Sequence, residues 1–232
     1  MLGILMTLSV GVCVAGLLHG GGIKLTEDQD ILAQTAVMTV FFHFGSLAWI
    51  WFFLRQIPMR WSEAFGLETS RWRKAVLWGL AGGLLFLYVA NRLQWAMGFF
   101  IERATRHPPV PQQLVMVLQK AALPWGQLVF FGVATIIIAP VAEEILFRGI
   151  LYPAIKQNGF PRAAWWITSL LFAAMHFNTL SFVSLAIFSL VLIFLYERTG
   201  SLWASITAHS VFNSVSFFAL IASGASHSLP VR

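Results

Sequence analysis

Residues 126–157 read GQLVFFGVATIIIAPVAEEILFRGILYPAIKQ. Residues 126–142 carry no charge, and then Glu143, Glu144 and Arg148 follow. A membrane-spanning helix needs about 20 mainly apolar residues, and this run is long enough. Carboxylates and arginines are costly in hydrocarbon, so ionisable groups inside such a run mark function by default. Pro140 frees the carbonyl of Ile136 from its helical bond and bends the helix just before Glu143. Such a bend opens a polar cavity inside a bundle. Glu144 and Arg148 are i,i+4 and share a face, so they can pair. Glu143 is turned from Glu144 by about 100° and can face a different cavity.

The rest of the chain agrees with a bilayer as solvent. Its 232 residues are 58% hydrophobic and 10% charged, against about 45–50% and about 25% in a soluble domain. That composition excludes a soluble enzyme, an extracellular disulfide module and a disordered chain. One cysteine, Cys13, excludes an internal disulfide and a cysteine-based zinc cluster. The net charge of +6 is spread over short gaps between apolar runs. Membrane proteins keep their topology signals there, and no nucleic-acid partner is expected.

Seven spans are expected, with six to eight as the range: residues 1–18, 31–54, 75–95, 126–157, 162–177, 179–196 and 201–222. Residues 1–18 read as a retained span rather than a cleaved signal peptide, since a charged n-region and an A-x-A site are missing. Gly79, Gly82 and Gly83 are close-packing positions in the third span. Residues 108–124 read as a proline-rich loop plus a short interfacial or re-entrant helix. The fold class is therefore all-α, a polytopic transmembrane helical bundle. Residues 1–100 form its N-terminal helices and 101–232 its functional core. Basic residues divide nine to six between the two faces. The richer face, with Arg55, Arg60, Arg71, Arg73 and Lys74, is expected to be cytoplasmic. The tryptophans Trp49, Trp51, Trp72, Trp165, Trp166 and Trp203 read as interfacial anchors.

Two further polar clusters follow the first: Phe172 with His176, and His209 with Asn213. Each pair is spaced i,i+4 and shares a helix face. Glu143 is 13 residues from Lys156, His176 is 14 from Arg162, and His209 and Asn213 are 8 and 12 from Ser201. At about 1.5 Å per residue, all lie roughly 12–21 Å from the cytoplasmic ends. Overlapping depths are what one shared site requires. The plainer readings are a structural staple for Glu144–Arg148 and packing roles for His19, His43 and His227, with His107 in a loop.

The three clusters resemble the motifs E-E-x-x-x-R, F-x-x-x-H and H-x-x-x-N of the CAAX protease and bacteriocin-processing family, which includes the Ras-converting type II CAAX prenyl endopeptidases. The resemblance covers about 139–213, including Tyr196–Trp203 before the third motif. Many members carry a glycine in the helix before that motif. Residues 179–199 have none, so Ser184 or Ser189 serves as the small residue. The resemblance implies an intramembrane endopeptidase acting on a membrane-associated peptide or protein in the inner membrane. It implies that Glu143 and His176 activate a water, that His209 and Asn213 hold the oxyanion, and that Glu144, Arg148 and Phe172 support them. No cofactor is expected.

The chemistry of the residues is compatible with those roles. A poorly solvated cavity makes a glutamate a stronger base, and an amide or ring N–H can stabilise a tetrahedral oxyanion. No H-E-x-x-H helix or G-x-S-G turn competes. The less favoured mechanism makes Glu143, His176 and His209 the ligands of a zinc ion. Outside enzymology, the same scaffold fits a non-catalytic membrane scaffold or a bacteriocin-immunity protein. A transporter is a third reading, since a polar midplane site beside a proline-broken helix suits a carrier, but no internal repeat is present.

Overall fold

The computed structural model of the protein describes residues 26–56, 60–68, 70–120 and 123–227, together with 14 and 16. Among these residues there is no strand. The helices are α1 (Glu27–Met38), α2 (Gly45–Leu54), α3 (Trp61–Ala64), α4 (Trp72–Thr105), α5 (Gln113–Lys120), α6 (Trp125–Val133), α7 (Ala139–Glu144), α8 (Tyr152–Gln157), α9 (Pro161–Ala174), α10 (Thr179–Thr199) and α11 (Leu202–His227). Three π-helical stretches join some of them: Thr39–Phe44, Ala134–Ile138 and Ile145–Leu151.

Among the described residues, five continuous runs are long and apolar enough to cross a membrane: Gln29–Phe52, Trp72–Thr105, Trp125–Gln157, Thr179–Thr199 and Leu202–Ser223. The protein is thus an all-helical membrane protein. The span expected at 1–18 lies outside the described residues, apart from 14 and 16. The span expected over 162–177 is α9, which has 14 residues. It measures roughly 21 Å, against a hydrocarbon core of about 30 Å. It ends at Ala174 because the chain turns through Phe177, at φ 47°, and Asn178 caps the next helix by accepting from Ser181 N–H.

The described residues gather in two compact units. The first draws on Met1–Arg60, Gln113–Ala142 and Ser214–Arg232. Its core joins Leu32 of α1, Leu118 of α5, Phe131 of α6 and Phe217 of α11. A capping box starts α1: Thr26 Oγ1 accepts from Gln29 N–H while the Gln29 side chain accepts from Thr26 N–H.

The second unit is Trp61–Gln112 with Glu143–Asn213, and every residue of the candidate site belongs to it. Here α10 packs against both α4 and α9. Phe86 stacks on Phe188 with ring centroids 4.7 Å apart, and Phe188 meets Phe212 at 4.6 Å. Gly79 and Gly83 let the backbone of α4 approach α11 beside Ala204 and Ala208. Gly200 ends α10 at φ 64°, a left-handed cap that favours glycine. Lys156 of α8 pairs with Glu197 of α10 at 2.6 Å.

Candidate active site

The first motif straddles the change from α7 to the π-helical stretch Ile145–Leu151. Its backbone alters the helical register immediately after Glu144, and π-turns of this kind gather at functional sites. Glu144 and Arg148 still pair as their spacing predicts, with Arg148 Nη1 donating to Glu144 Oε1 at 2.8 Å. Both side chains are fully buried. Arg148 Nη2 reaches across to α10, donating to Ser189 Oγ at 2.6 Å and to the Ser189 carbonyl at 3.2 Å. The guanidinium also lies 4.7 Å over the ring of Phe172, a favourable cation–π geometry.

His209 of α11 joins this pair. Its Nδ1 is 2.9 Å from Glu144 Oε1, and its Nε2 is 3.9 Å from Glu143 Oε2. Both glutamates therefore approach the same imidazole. Adjacent positions on a helix diverge by about 100°, and that divergence suits the two nitrogen-bearing edges of one imidazole. His209 is buried, while the Glu143 side chain retains 13% of its surface.

Phe172 links the second motif to the third. Its buried ring is 5.0 Å from the His176 ring and 5.7 Å from the His209 ring, centroid to centroid. His176 Nδ1 is 2.8 Å from the carbonyl oxygen of Phe172. A carbonyl only accepts, so Nδ1 carries the hydrogen, and in the neutral ring Nε2 is the acceptor. Asn213 stands one turn beyond His209 on α11 and is partly buried.

Glu143, Glu144, Arg148, Phe172, His176 and His209 are thus brought together by contact, and Asn213 by helix register. Among the described residues, no three His, Cys, Asp or Glu side chains form a group that could hold a metal ion. Ser189 was legible only as a small residue. Its signal is a fully buried hydroxyl in a largely apolar span, one of three buried serines there with Ser181 and Ser184.

Residues 125–215 match the family model described as type II CAAX prenyl endopeptidase Rce1-like. All three polar clusters fall inside that match. The match covers less than half of the chain and carries the resemblance drawn from the three motifs. Among the proteins similar to this chain is "Putative membrane peptidase YdiL" of Bacillus subtilis (strain 168). It is 23% identical over 190 residues, covering 81% of this chain and 72% of that protein. "Uncharacterized protein YpbD" of the same organism is 40% identical over 85 residues, covering 35% of this chain and 40% of that one. No solved structure gives a significant match.

Proposed function

We propose that the protein is an intramembrane endopeptidase that hydrolyses a peptide bond with a water activated by Glu143. The observation that carries this reading is the shared histidine: His209 stands between two buried-site carboxylates, beside Phe172 and His176. The match of residues 125–215 to the Rce1-like family model and the similarity to a putative membrane peptidase support a membrane peptidase.

In the proposed reaction, Glu143 takes a proton from a water whose position His176 fixes through Nε2. The water oxygen bonds to the carbonyl carbon, and the negative charge moves to the carbonyl oxygen. Asn213 donates a hydrogen bond to that oxyanion, as does His209 when Nε2 as well as Nδ1 carries a hydrogen, each such donor being worth about 3–4 kcal/mol. Collapse breaks the C–N bond, and the proton held by Glu143 passes to the leaving amine. No step uses a metal ion. The substrate is a membrane-associated peptide or protein, cut near a CAAX-type C-terminus or within a bacteriocin-like peptide. The enzyme sits in the inner membrane, with residues 55–74 on the cytoplasmic side.

The test compares the membrane proteome of cells carrying wild type and Glu143→Ala. New cleavage products present only with wild type support the reading. Identical proteomes, with both proteins accumulating, return the non-catalytic scaffold or immunity reading. Purified enzyme should keep its activity after treatment with a strong chelator, and loss restored by zinc would revive the metal mechanism.

A further inference from the structure

We infer that Glu144 is a positioning residue: it sets the tautomer of His209 and makes Nε2 the ring atom that works in the site. Its consequence for turnover rests on the peptidase reading, whereas the tautomer itself does not.

Two groups meet one oxygen. Arg148 Nη1 and His209 Nδ1 lie 2.8 and 2.9 Å from Glu144 Oε1. A guanidinium has only donors, and an ionised carboxylate has only acceptors, so the bond from the ring must be donated by Nδ1–H. Glu144 and Arg148 are fully buried, so bulk water does not compete for this oxygen. Ser189 anchors the far side of the guanidinium, which holds the carboxylate in register.

The ring is also fenced in. Phe188 meets it edge-on at 5.6 Å and 90°, and Phe172 meets it at 5.7 Å and 70°. A ring flip that exchanged the nitrogens would move it against these aromatic walls and break the bond to Glu144. Nε2 is left on the edge turned to Glu143. A mere staple between Glu144 and Arg148 would place no demand on His209. The shared oxygen does.

The experiment is nitrogen NMR of full-length protein in detergent micelles, with ¹⁵N-labelled histidine. The chain has 6 histidines, and His209→Gln assigns the signal. Wild type should show the proton on Nδ1, a measurement that needs no variant to fold. Glu144→Gln keeps an acceptor oxygen and should keep that tautomer. Glu144→Leu removes the acceptor, so the proton should leave Nδ1 for Nε2. Nε2–H would then face the Glu143 carboxylate and compete for the base, so kcat should fall at least about 100-fold while KM stays within about twofold, the lower end of what a general base contributes. A bare Nδ1 in wild type, or a signal in Glu144→Leu identical to wild type, would overturn the inference. If wild type cleaves no peptide while Nδ1 responds to Glu144 as described, the peptidase reading fails and the positioning role stands.

Discussion

Gly83 lies so close to Ala208 that a Cβ on the glycine would sit 2.7 Å from the Ala208 carbonyl oxygen and 3.1 Å from its Cα. Both obstacles are backbone, so relief requires α11 to move. Ala208 directly precedes His209, and a shift of α11 is a shift of the imidazole. Gly83→Ala should therefore destabilise the protein by about 1–3 kcal/mol, the usual cost of overpacking, and should lower kcat as well. Gly126 has nothing within 4 Å of the same construction. Gly126→Ala should be neutral or stabilising by up to about 1 kcal/mol, since alanine is the better helix former. Melting in detergent checks both, and equal behaviour of the two variants would refute the packing argument.

Arg148 is held from two sides, which separates two costs. Arg148→Ala strands a fully buried carboxylate, commonly a loss of about 3–5 kcal/mol, and the protein should fail to accumulate in membranes. Ser189→Ala removes one hydrogen bond to a charged group, worth about 1.5–3 kcal/mol. That variant should accumulate at reduced yield and retain measurable activity. Normal yield for Arg148→Ala would show that the pair is dispensable.

Residues 55–74 supply the topology test. Basic and aromatic side chains together favour the cytoplasmic headgroup region, and Ser70 is exposed there. With Cys13, the sole cysteine, replaced by serine, Ser70→Cys should react with a membrane-impermeant maleimide only after the cytoplasmic face is opened. Labelling of intact cells would invert the orientation.

Local spacing made part of the site legible. Glu144 and Arg148 are four residues apart, so their pairing follows from helix geometry alone. The bond from His209 to Glu144 joins positions 65 residues apart, and helical depth could bring them level without saying which nitrogen meets which oxygen. Ser189 was hidden for the same reason: a hydroxyl in an apolar run does not announce a partner 41 residues away. The glycines of α4 were readable as close-packing positions, but their partners Ala204 and Ala208 were not, because alanine has no distinctive pattern. The π-helical stretches alter the register after Glu144 where a 3.6-residue period predicts none. Hydropathy read residues 162–177 as a span, yet the turn at Phe177 leaves α9 too short.

The division of labour at the site yields the sharpest test. Glu143 keeps part of its side chain accessible, whereas Glu144 is sealed against Arg148 and His209. On the proposed mechanism the former takes the proton from an entering water. Glu143→Gln preserves shape and volume but removes the acceptor, so kcat should fall below a few per cent of wild type while KM is retained. On the same mechanism Asn213→Ala deletes an oxyanion donor and should leave about 10⁻² to 10⁻³ of the rate. Asn213→Asp should be worse, because a negative charge would stand where the oxyanion forms. The assay is cleavage of a peptide with defined ends in detergent, with kcat and KM measured separately. A Glu143→Gln enzyme that turns over at a substantial fraction of wild type would remove the base from the mechanism. An Asn213→Asp enzyme faster than Asn213→Ala would remove the oxyanion from that side of His209.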